Sequence, residues 1–187
     1  MERIEVLFGG WGGQGIKLAG TLLAQACALA GRQVTSSASY GPEARGTFVR
    51  SDVVVSDEQI TYPLTLTPHF FVALSQEAYD RLHQGVAADG VVLFDPEAVT
   101  PSPEAPQRHY SIPALDTAAE VGHPGGANVA MLGALSALSG LVDLETLKQA
   151  LPASGRAANE AALERGFALG CAAETFSLSN SKKVSRE

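Results

Sequence analysis

Apolar residues recur along the chain with two different periods, and the alternation of these periods predicts a layered fold. Residues 2–8 include an apolar run that predicts a buried strand. From Gln14 onward, small and apolar side chains return every three or four residues, which predicts an amphipathic helix that ends at Gly31. Residues 33–38 then predict a second strand. The simplest topology for this β-loop-α-β unit is a parallel pair with a right-handed crossover.

The later part of the chain continues this alternation. Further strands are predicted at 48–56, 70–74, 91–94 and 110–112. Further helices are predicted from Ser75 to about His83, at 114–121, from an Asn128 cap over 129–139, from an Asp143 cap to Leu151, and at 157–171. The prolines within 95–108 exclude helix and central strand there. We therefore expect a Rossmann-like α/β fold, with helices on both faces of a mainly parallel, twisted sheet in which the strand at 48–56 is free to run antiparallel.

Composition narrows the class of protein. With 187 residues, 45% of them hydrophobic, the chain can bury one substantial core, so a single domain is expected. The net charge of −7 argues against a nucleic-acid partner, because an acidic surface gains nothing from the phosphate backbone. The apolar helix at 129–139 is too short to span a membrane. The first five residues lack the basic and apolar layout of a signal peptide, and we expect a cytoplasmic protein.

The residues that commonly bind metals are few and scattered. The two cysteines, Cys27 and Cys171, each lie within a predicted helix, where we expect small buried side chains. They are too few for an iron–sulfur cluster, which usually needs about four thiolates. The histidines show no metal-ligand spacing and are expected to be structural or solvated. No nucleophile elbow or zinc-protease motif is present, so an enzyme that carries all of its own catalytic groups is the least supported function.

A glycine-rich stretch, residues 8–15, joins the first strand to the first helix. Gly10, Gly12 and Gly15 fit the pattern G-x-G-x-x-G, in which backbone N–H groups at a helix N-terminus hold a pyrophosphate. The full dinucleotide motif also needs an acidic residue about twenty positions later, and residues 34–38 contain none. An NAD site is therefore disfavoured, and a free-standing NAD(P)- or FAD-binding oxidoreductase is kept as the alternative function.

A second polar segment, residues 39–46, follows the second predicted strand. It stands at the edge of the sheet where open α/β folds bind ligands, although an ordinary surface loop is an equally simple explanation. Arg45 and Arg50 can supply positive charge to a phosphate or carboxylate. Each can instead pair with Glu43 or Asp52 and brace the loop, and the sequence leaves both possibilities open.

These segments resemble a known family, the gamma subunits of 2-oxoacid:ferredoxin oxidoreductases (the pyruvate/ketoisovalerate group). Residues 10–15 are similar to the family's G-x-G-G-Q-G loop, and residues 39–46 with Arg50 and Ser51 to its S-Y-G-x-E-x-R-G-G and R-S motifs. A looser likeness continues through Asn128 to about residue 170. One departure is Thr47, where the family usually has a second glycine.

The resemblance implies a gamma-type domain over 1–176, and the polar, basic character of residues 177–187 predicts a tail after it. It implies oxidative decarboxylation of a 2-oxoacid with coenzyme A, in which thiamine diphosphate and iron–sulfur clusters lie on alpha and beta subunits, and in some complexes on a delta subunit. Ferredoxin would be an indirect partner. The chain alone would be inactive, with no catalytic residue or metal ligand of its own. The residues expected to bind a ligand or complete the active site are Gly10, Gly12, Gly13, Gln14, Gly15, Tyr40, Gly41, Glu43, Arg45, Gly46, Arg50 and Asn128.

Overall fold

The computed structural model describes residues 3–40 and 47–184, with side chains placed as far as residue 173. The predicted site residues Gly41, Glu43, Arg45 and Gly46 lie outside these ranges. The strands are β1 (Ile4–Trp11), β2 (Gln33–Tyr40), β3 (Phe48–Ser56), β4 (Phe70–Ala73), β5 (Val91–Phe94) and β6 (Arg108–Ser111). The helices are α1 (Ile16–Leu29), α2 (Gln76–Leu82), α3 (Ala114–Glu120), α4 (Ala127–Ser139), α5 (Leu144–Ala150) and α6 (Arg156–Val184).

The six strands form one sheet in the order β2-β3-β1-β4-β5-β6. Strand β3 runs antiparallel to both of its neighbours, and the pairs β1–β4, β4–β5 and β5–β6 are parallel. The mainly parallel α/β fold is confirmed, but the predicted pairing of β1 with β2 is wrong because β3 lies between them. Strand β3 is buried along most of its length, whereas β2 is polar and contains no buried residue. Burial therefore places β3 inside the sheet and leaves β2 at its edge.

Helices cover the two faces of the sheet unequally. The larger core joins one face to α1, α3, α4, α5 and α6, and the smaller core joins the other face to α2. Helix α4 is buried along most of its length. It crosses α6 where Gly133 meets the backbone of Leu163 and Gly166 meets the backbone of Ala130, and a Cβ atom at either glycine would overlap that backbone. The small residues of the last helix therefore allow two helices to approach closely.

Several helix ends follow the predicted capping pattern. Ser75 accepts a hydrogen bond from Ala78 N–H, and Asp143 accepts one from Thr146 N–H at 2.7 Å, as expected for N-caps. Gly31, with φ of 79°, follows α1 in the left-handed conformation that ends many helices. Helix α6 continues beyond its predicted end at Cys171. Within the ranges given above, none of the helices has the length and apolar character needed to cross a bilayer.

Candidate functional site

The glycine-rich loop between β1 and α1 folds back on itself. Gly12 N–H donates to the Thr47 carbonyl at 2.8 Å, which ties the loop to the start of β3. Gln14 N–H donates to the Trp11 carbonyl at 3.1 Å, and Trp11 N–H donates to the Gln14 side-chain oxygen at 2.6 Å. Gly13 and Gly15 have φ of 103° and 72°, values that side chains rarely adopt. The sequence motif therefore encodes a tight turn directly before the helix.

The Gln14 side chain joins the ends of two neighbouring parallel strands. Besides the bond from Trp11 N–H, its amide nitrogen donates to the Leu74 carbonyl at 2.8 Å. The chain leaves β1 toward the face covered by α1 and leaves β4 toward the face covered by α2, so Gln14 lies at the topological switch point. In open α/β sheets this crevice admits nucleotide ligands. Here the Gln14 amide lines the crevice, and a Cβ atom at Gly10 would lie 2.5 Å from that amide oxygen.

A cleft of about 440 Å³ opens on the α1 side of the glycine loop. Its lining includes Trp11, Leu18 and Tyr40, which are 38%, 42% and 56% exposed, together with Lys17 and Thr21. No side chain caps α1, and its first turn holds no acidic residue. The uncapped N–H groups and the Lys17 ammonium therefore bring positive potential to this cleft in a protein of net charge −7. Residues of the glycine loop and Tyr40, both named from the sequence as site candidates, line this one cleft.

Asn128 reaches the glycine loop from α4. Its side-chain nitrogen donates to the Gly15 carbonyl at 3.2 Å, and a Cβ atom at Gly15 would overlap its side chain. The prediction that Asn128 caps α4 is wrong, because the helix begins at Ala127 and Gly126 is its N-cap. Asn128 is buried and holds the loop across 113 positions of sequence.

Arg50 lies outside the cleft. Strand alternation places it with Asp52 on the sheet face opposite α1, and its guanidinium donates to both Asp52 carboxylate oxygens at 2.9 and 2.6 Å and to Thr65 Oγ1 at 2.9 Å. Burial raises the pKa of Asp52, but the hydrogen bonds from Arg50 and Thr65 outweigh it and hold the pKa below its usual value. Of the two roles that the sequence left open for Arg50, the structure shows the ion pair with Asp52.

A second, smaller cavity of about 150 Å³ lies on the other side of the glycine loop, between Gln14 and Ala127. Asp95, fully buried at the end of β5, lines it and accepts hydrogen bonds from Glu97 N–H at 2.9 Å and Leu115 N–H at 2.8 Å. Asp95 is not among the site residues predicted from the sequence. The sequence pattern that could have identified it is an acidic residue directly after the buried strand β5.

The thiols of this chain do not form a cluster site. Cys27 is buried, and burial raises the pKa of its thiol to about 11 although the nearby Arg32 charge lowers it in part. Cys171 is exposed on α6, so its predicted burial is wrong. Within residues 3–40 and 47–173, no group of three or more histidine, cysteine or acidic side chains could hold a metal ion. The donor set therefore does not fit an iron–sulfur cluster.

The histidines hold other parts of the fold together. His69 accepts the Glu5 N–H at 3.1 Å, and His123 lies 3.1 Å from the Asn159 side-chain oxygen. His83 stacks on Tyr79 with ring centres 4.5 Å apart. His109 lies 3.0 Å from the Tyr79 hydroxyl. Each side chain has a structural partner, in agreement with the sequence analysis.

Fold and site together define a single α/β domain with Gln14 at the switch point of the sheet and a cleft beside the glycine loop. The chain belongs to the pyruvate ferredoxin/flavodoxin oxidoreductase family, whose model matches residues 5–169. It is 42% identical over 153 residues to the 2-oxoglutarate synthase subunit KorC of Methanocaldococcus jannaschii, a match that covers 80% of this chain and 82% of that one. The resemblance stated from the sequence is therefore confirmed.

Two solved structures share the fold. The gamma subunit of a keto/oxoacid ferredoxin oxidoreductase from Geobacter sulfurreducens is 36% identical, with a TM-score of 0.80 over 91% of this chain and 99% of that one. A 2-oxoglutarate:ferredoxin oxidoreductase from Magnetococcus marinus, solved with 2-oxoglutarate, coenzyme A and succinyl-CoA, is 28% identical, with a TM-score of 0.83. That match covers 92% of this chain and 32% of the longer one.

Proposed function

We propose that this chain is the gamma-type subunit of a multi-subunit 2-oxoacid:ferredoxin oxidoreductase. Such an enzyme converts a 2-oxoacid and coenzyme A to an acyl-CoA and carbon dioxide while ferredoxin takes up the electrons. The observation that carries the proposal is the match to a gamma subunit over nearly the full length of both chains. The alternative, a free-standing NAD(P)- or FAD-binding oxidoreductase, is disfavoured because residues 34–38 supply no carboxylate for a ribose hydroxyl and the cavity beside Gln14 measures only about 150 Å³.

In this proposal the redox chemistry belongs to the partner chains. Two cysteines, one buried and one exposed, do not match the usual requirement of an iron–sulfur cluster. Thiamine diphosphate and the clusters would therefore be held by the alpha and beta subunits, and by a delta subunit where one is present. This chain would contribute binding and closure, and it would be inactive alone.

The site proposal centres on the cleft beside the glycine loop. We propose that the uncapped N–H groups at the start of α1 and the Lys17 ammonium face an anionic group, either of coenzyme A or of a partner loop. Within the loop, the N–H groups of Gly12 and Gln14 are already bonded to backbone carbonyls. Trp11 and Tyr40 would form its apolar walls. The polar segment around Arg45 stays a sequence-based proposal, in which its guanidinium adds a second positive charge.

Affinity purification from the native host tests the subunit proposal. The tagged chain should bring down chains that carry thiamine diphosphate and iron–sulfur clusters in fixed stoichiometry. Mass spectrometry identifies the chains, and the visible spectrum reports the clusters. Recovery of the tagged chain alone, from cells that make the enzyme, would refute the proposal.

Coenzyme A kinetics of the assembled enzyme test the cleft. Arg45→Ala and Lys17→Ala should each remove a charge-assisted hydrogen bond worth about 1.5–3 kcal/mol, which weakens the apparent coenzyme A affinity about 10- to 150-fold. The effect should decrease as salt is raised. Arg81→Ala, which removes an exposed arginine paired with Glu77 on α2, is the matched control. If Arg45→Ala leaves coenzyme A kinetics unchanged but releases this chain from the complex, the 39–46 segment stabilises a subunit interface and does not bind coenzyme A.

A further inference from the structure

The connection between β5 and β6, residues 95–107, contains no helix or strand, and side chains of α2 hold it in place. Thr100 N–H donates to the side-chain oxygen of Gln76 at 2.7 Å, and the Thr100 carbonyl accepts from the side-chain nitrogen of Gln76 at 3.3 Å. Ser102 N–H donates to the Tyr79 hydroxyl at 2.9 Å. These bonds attach the middle of the connection to α2.

His109, on β6, contacts the same Tyr79 hydroxyl from the other side. Its Nε2 lies 3.0 Å from that hydroxyl, and its Nδ1 lies 2.9 Å from the Gln107 carbonyl. Because a carbonyl only accepts, Nδ1 carries a hydrogen, and in the neutral ring Nε2 is then a bare acceptor. The Tyr79 hydroxyl therefore donates to Nε2 while its oxygen accepts from Ser102 N–H. We call these three bonds, from Ser102 through Tyr79 and His109 to Gln107, the Tyr79–His109 network.

The network fits only the neutral form of His109. A second proton on the ring must go to Nε2, and this N–H and Ser102 N–H would then both point at one phenol oxygen that carries a hydrogen of its own. That hydrogen would have no acceptor left in the network. Tyr79 is only 1% exposed, so water cannot readily replace the lost partner. Protonation of His109 must therefore break a bond, and Ser102, in a segment without helix or strand, is the partner that is freest to move.

The charges around His109 favour the same neutral form. Burial lowers the pKa of His109, the charge of His83 lowers it further, and the hydrogen bond with the Gln107 carbonyl raises it in part. Strand β5 presents the uncharged ring of Phe94, whose centre lies 6.2 Å from that of His109. The charged side chains of the adjacent elements have partners of their own or are exposed: Glu77 with Arg81, Asp80 with Gln76, and the exposed Glu97, Glu104 and Arg108.

We propose that the Tyr79–His109 network is a pH-dependent switch, which holds residues 95–107 against α2 while His109 is neutral and releases Ser102 when His109 is protonated. The connection forms part of two concave surfaces. Ala98 lines the cavity of about 150 Å³ beside Gln14, and Ser102 lines a groove of about 370 Å³. Release of Ser102 should therefore change the walls of the groove directly. The switch is a property of this chain alone and does not depend on the proposed function.

Hydrogen exchange in the full chain, followed by nuclear magnetic resonance over the range in which histidines titrate, about pH 8 to pH 5 and below, tests this inference. The nitrogen chemical shifts of the His109 ring report its titration in the same sample. After correction for the intrinsic exchange rate at each pH, the protection of Ser102 N–H should fall about 2- to 12-fold as His109 becomes protonated, which is the loss of one net hydrogen bond. Thr100 N–H is the internal control, because its partner Gln76 does not titrate. Constant protection of Ser102 through the titration, or a folded chain in which His109 never titrates, would overturn the switch.

Tyr79→Phe provides a second readout, since it removes the hydroxyl and keeps the ring. Ser102 N–H should then be weakly protected at every pH. Tyr62→Phe makes the same chemical change at a side chain that is 45% exposed and should leave the exchange of Ser102 as in the wild type. Circular dichroism and thermal melts establish that each variant is folded. Full protection of Ser102 in folded Tyr79→Phe, or a wild-type His109 ring whose shifts show the hydrogen on Nε2 at neutral pH, would also overturn the inference.

Discussion

Removal of the Gln14 side chain tests how the glycine loop is held at the end of the sheet. In Gln14→Ala the loop loses the bond from Trp11 N–H at 2.6 Å and the bond to the Leu74 carbonyl at 2.8 Å. Each hydrogen bond contributes about 0.5–1.5 kcal/mol net, so the free energy of unfolding should fall by about 1–3 kcal/mol. For a domain of this size each kcal/mol moves the melting temperature by about 2–4 °C, which gives a decrease of about 2–12 °C.

Thermal and denaturant unfolding of the isolated chain measures this effect. Gln25→Ala makes the same chemical change at an exposed position of α1 and should alter the free energy of unfolding by less than about 0.5 kcal/mol. Hydrogen exchange at Trp11 N–H should accelerate in Gln14→Ala and stay unchanged in the control. If the two variants unfold alike, the Gln14 side chain does not join the ends of β1 and β4 as described.

Three further predictions concern stability and ligands. Burial lowers the pKa of His109 below its ordinary value of 6.5, and the charge of His83 lowers it further, while the hydrogen bond with the Gln107 carbonyl raises it in part. The unfolded state therefore binds the proton more readily than the folded state. The contribution of His109 to the free energy of unfolding should therefore be constant above about pH 7 and fall as the pH drops through 6.5, a slope that His109→Gln should reduce and that denaturant melts at several pH values measure. The isolated chain should be colourless and inactive with 2-oxoacid and coenzyme A, and a visible iron–sulfur absorption band would contradict this. Titration with NADH or NADPH should give no saturable energy transfer from Trp11, the single tryptophan, whereas micromolar binding would favour the dinucleotide alternative.

The parts of the fold set by local chemistry could be predicted from the sequence. The glycines before α1, the serine cap of α2 and the aspartate cap of α5 all act within a few residues of their own positions. The strand order could not be obtained in the same way. It depends on the comparison of β2 with β3, since the more apolar strand takes the interior position whichever comes first in the chain.

The same distinction applies to the site. The glycine loop and Tyr40 were identified from local motifs, and the structure places them at one cleft. The contact of Asn128 with Gly15 joins positions that are distant in sequence, and an asparagine before an apolar run has the same local pattern as a cap. The pairing of Arg50 with Asp52 could be anticipated from the sequence, because residues two apart on a strand share a face.

Omission and restoration of this chain in the assembled enzyme test the central claim most directly. The oxidoreductase would be purified from the native host with and without this chain, and 2-oxoacid-dependent reduction of ferredoxin would be measured in the presence of coenzyme A. The account predicts that the enzyme without the chain loses acyl-CoA formation and regains it when the purified chain is added back. Full activity in the absence of the chain would contradict its role in completing the active site.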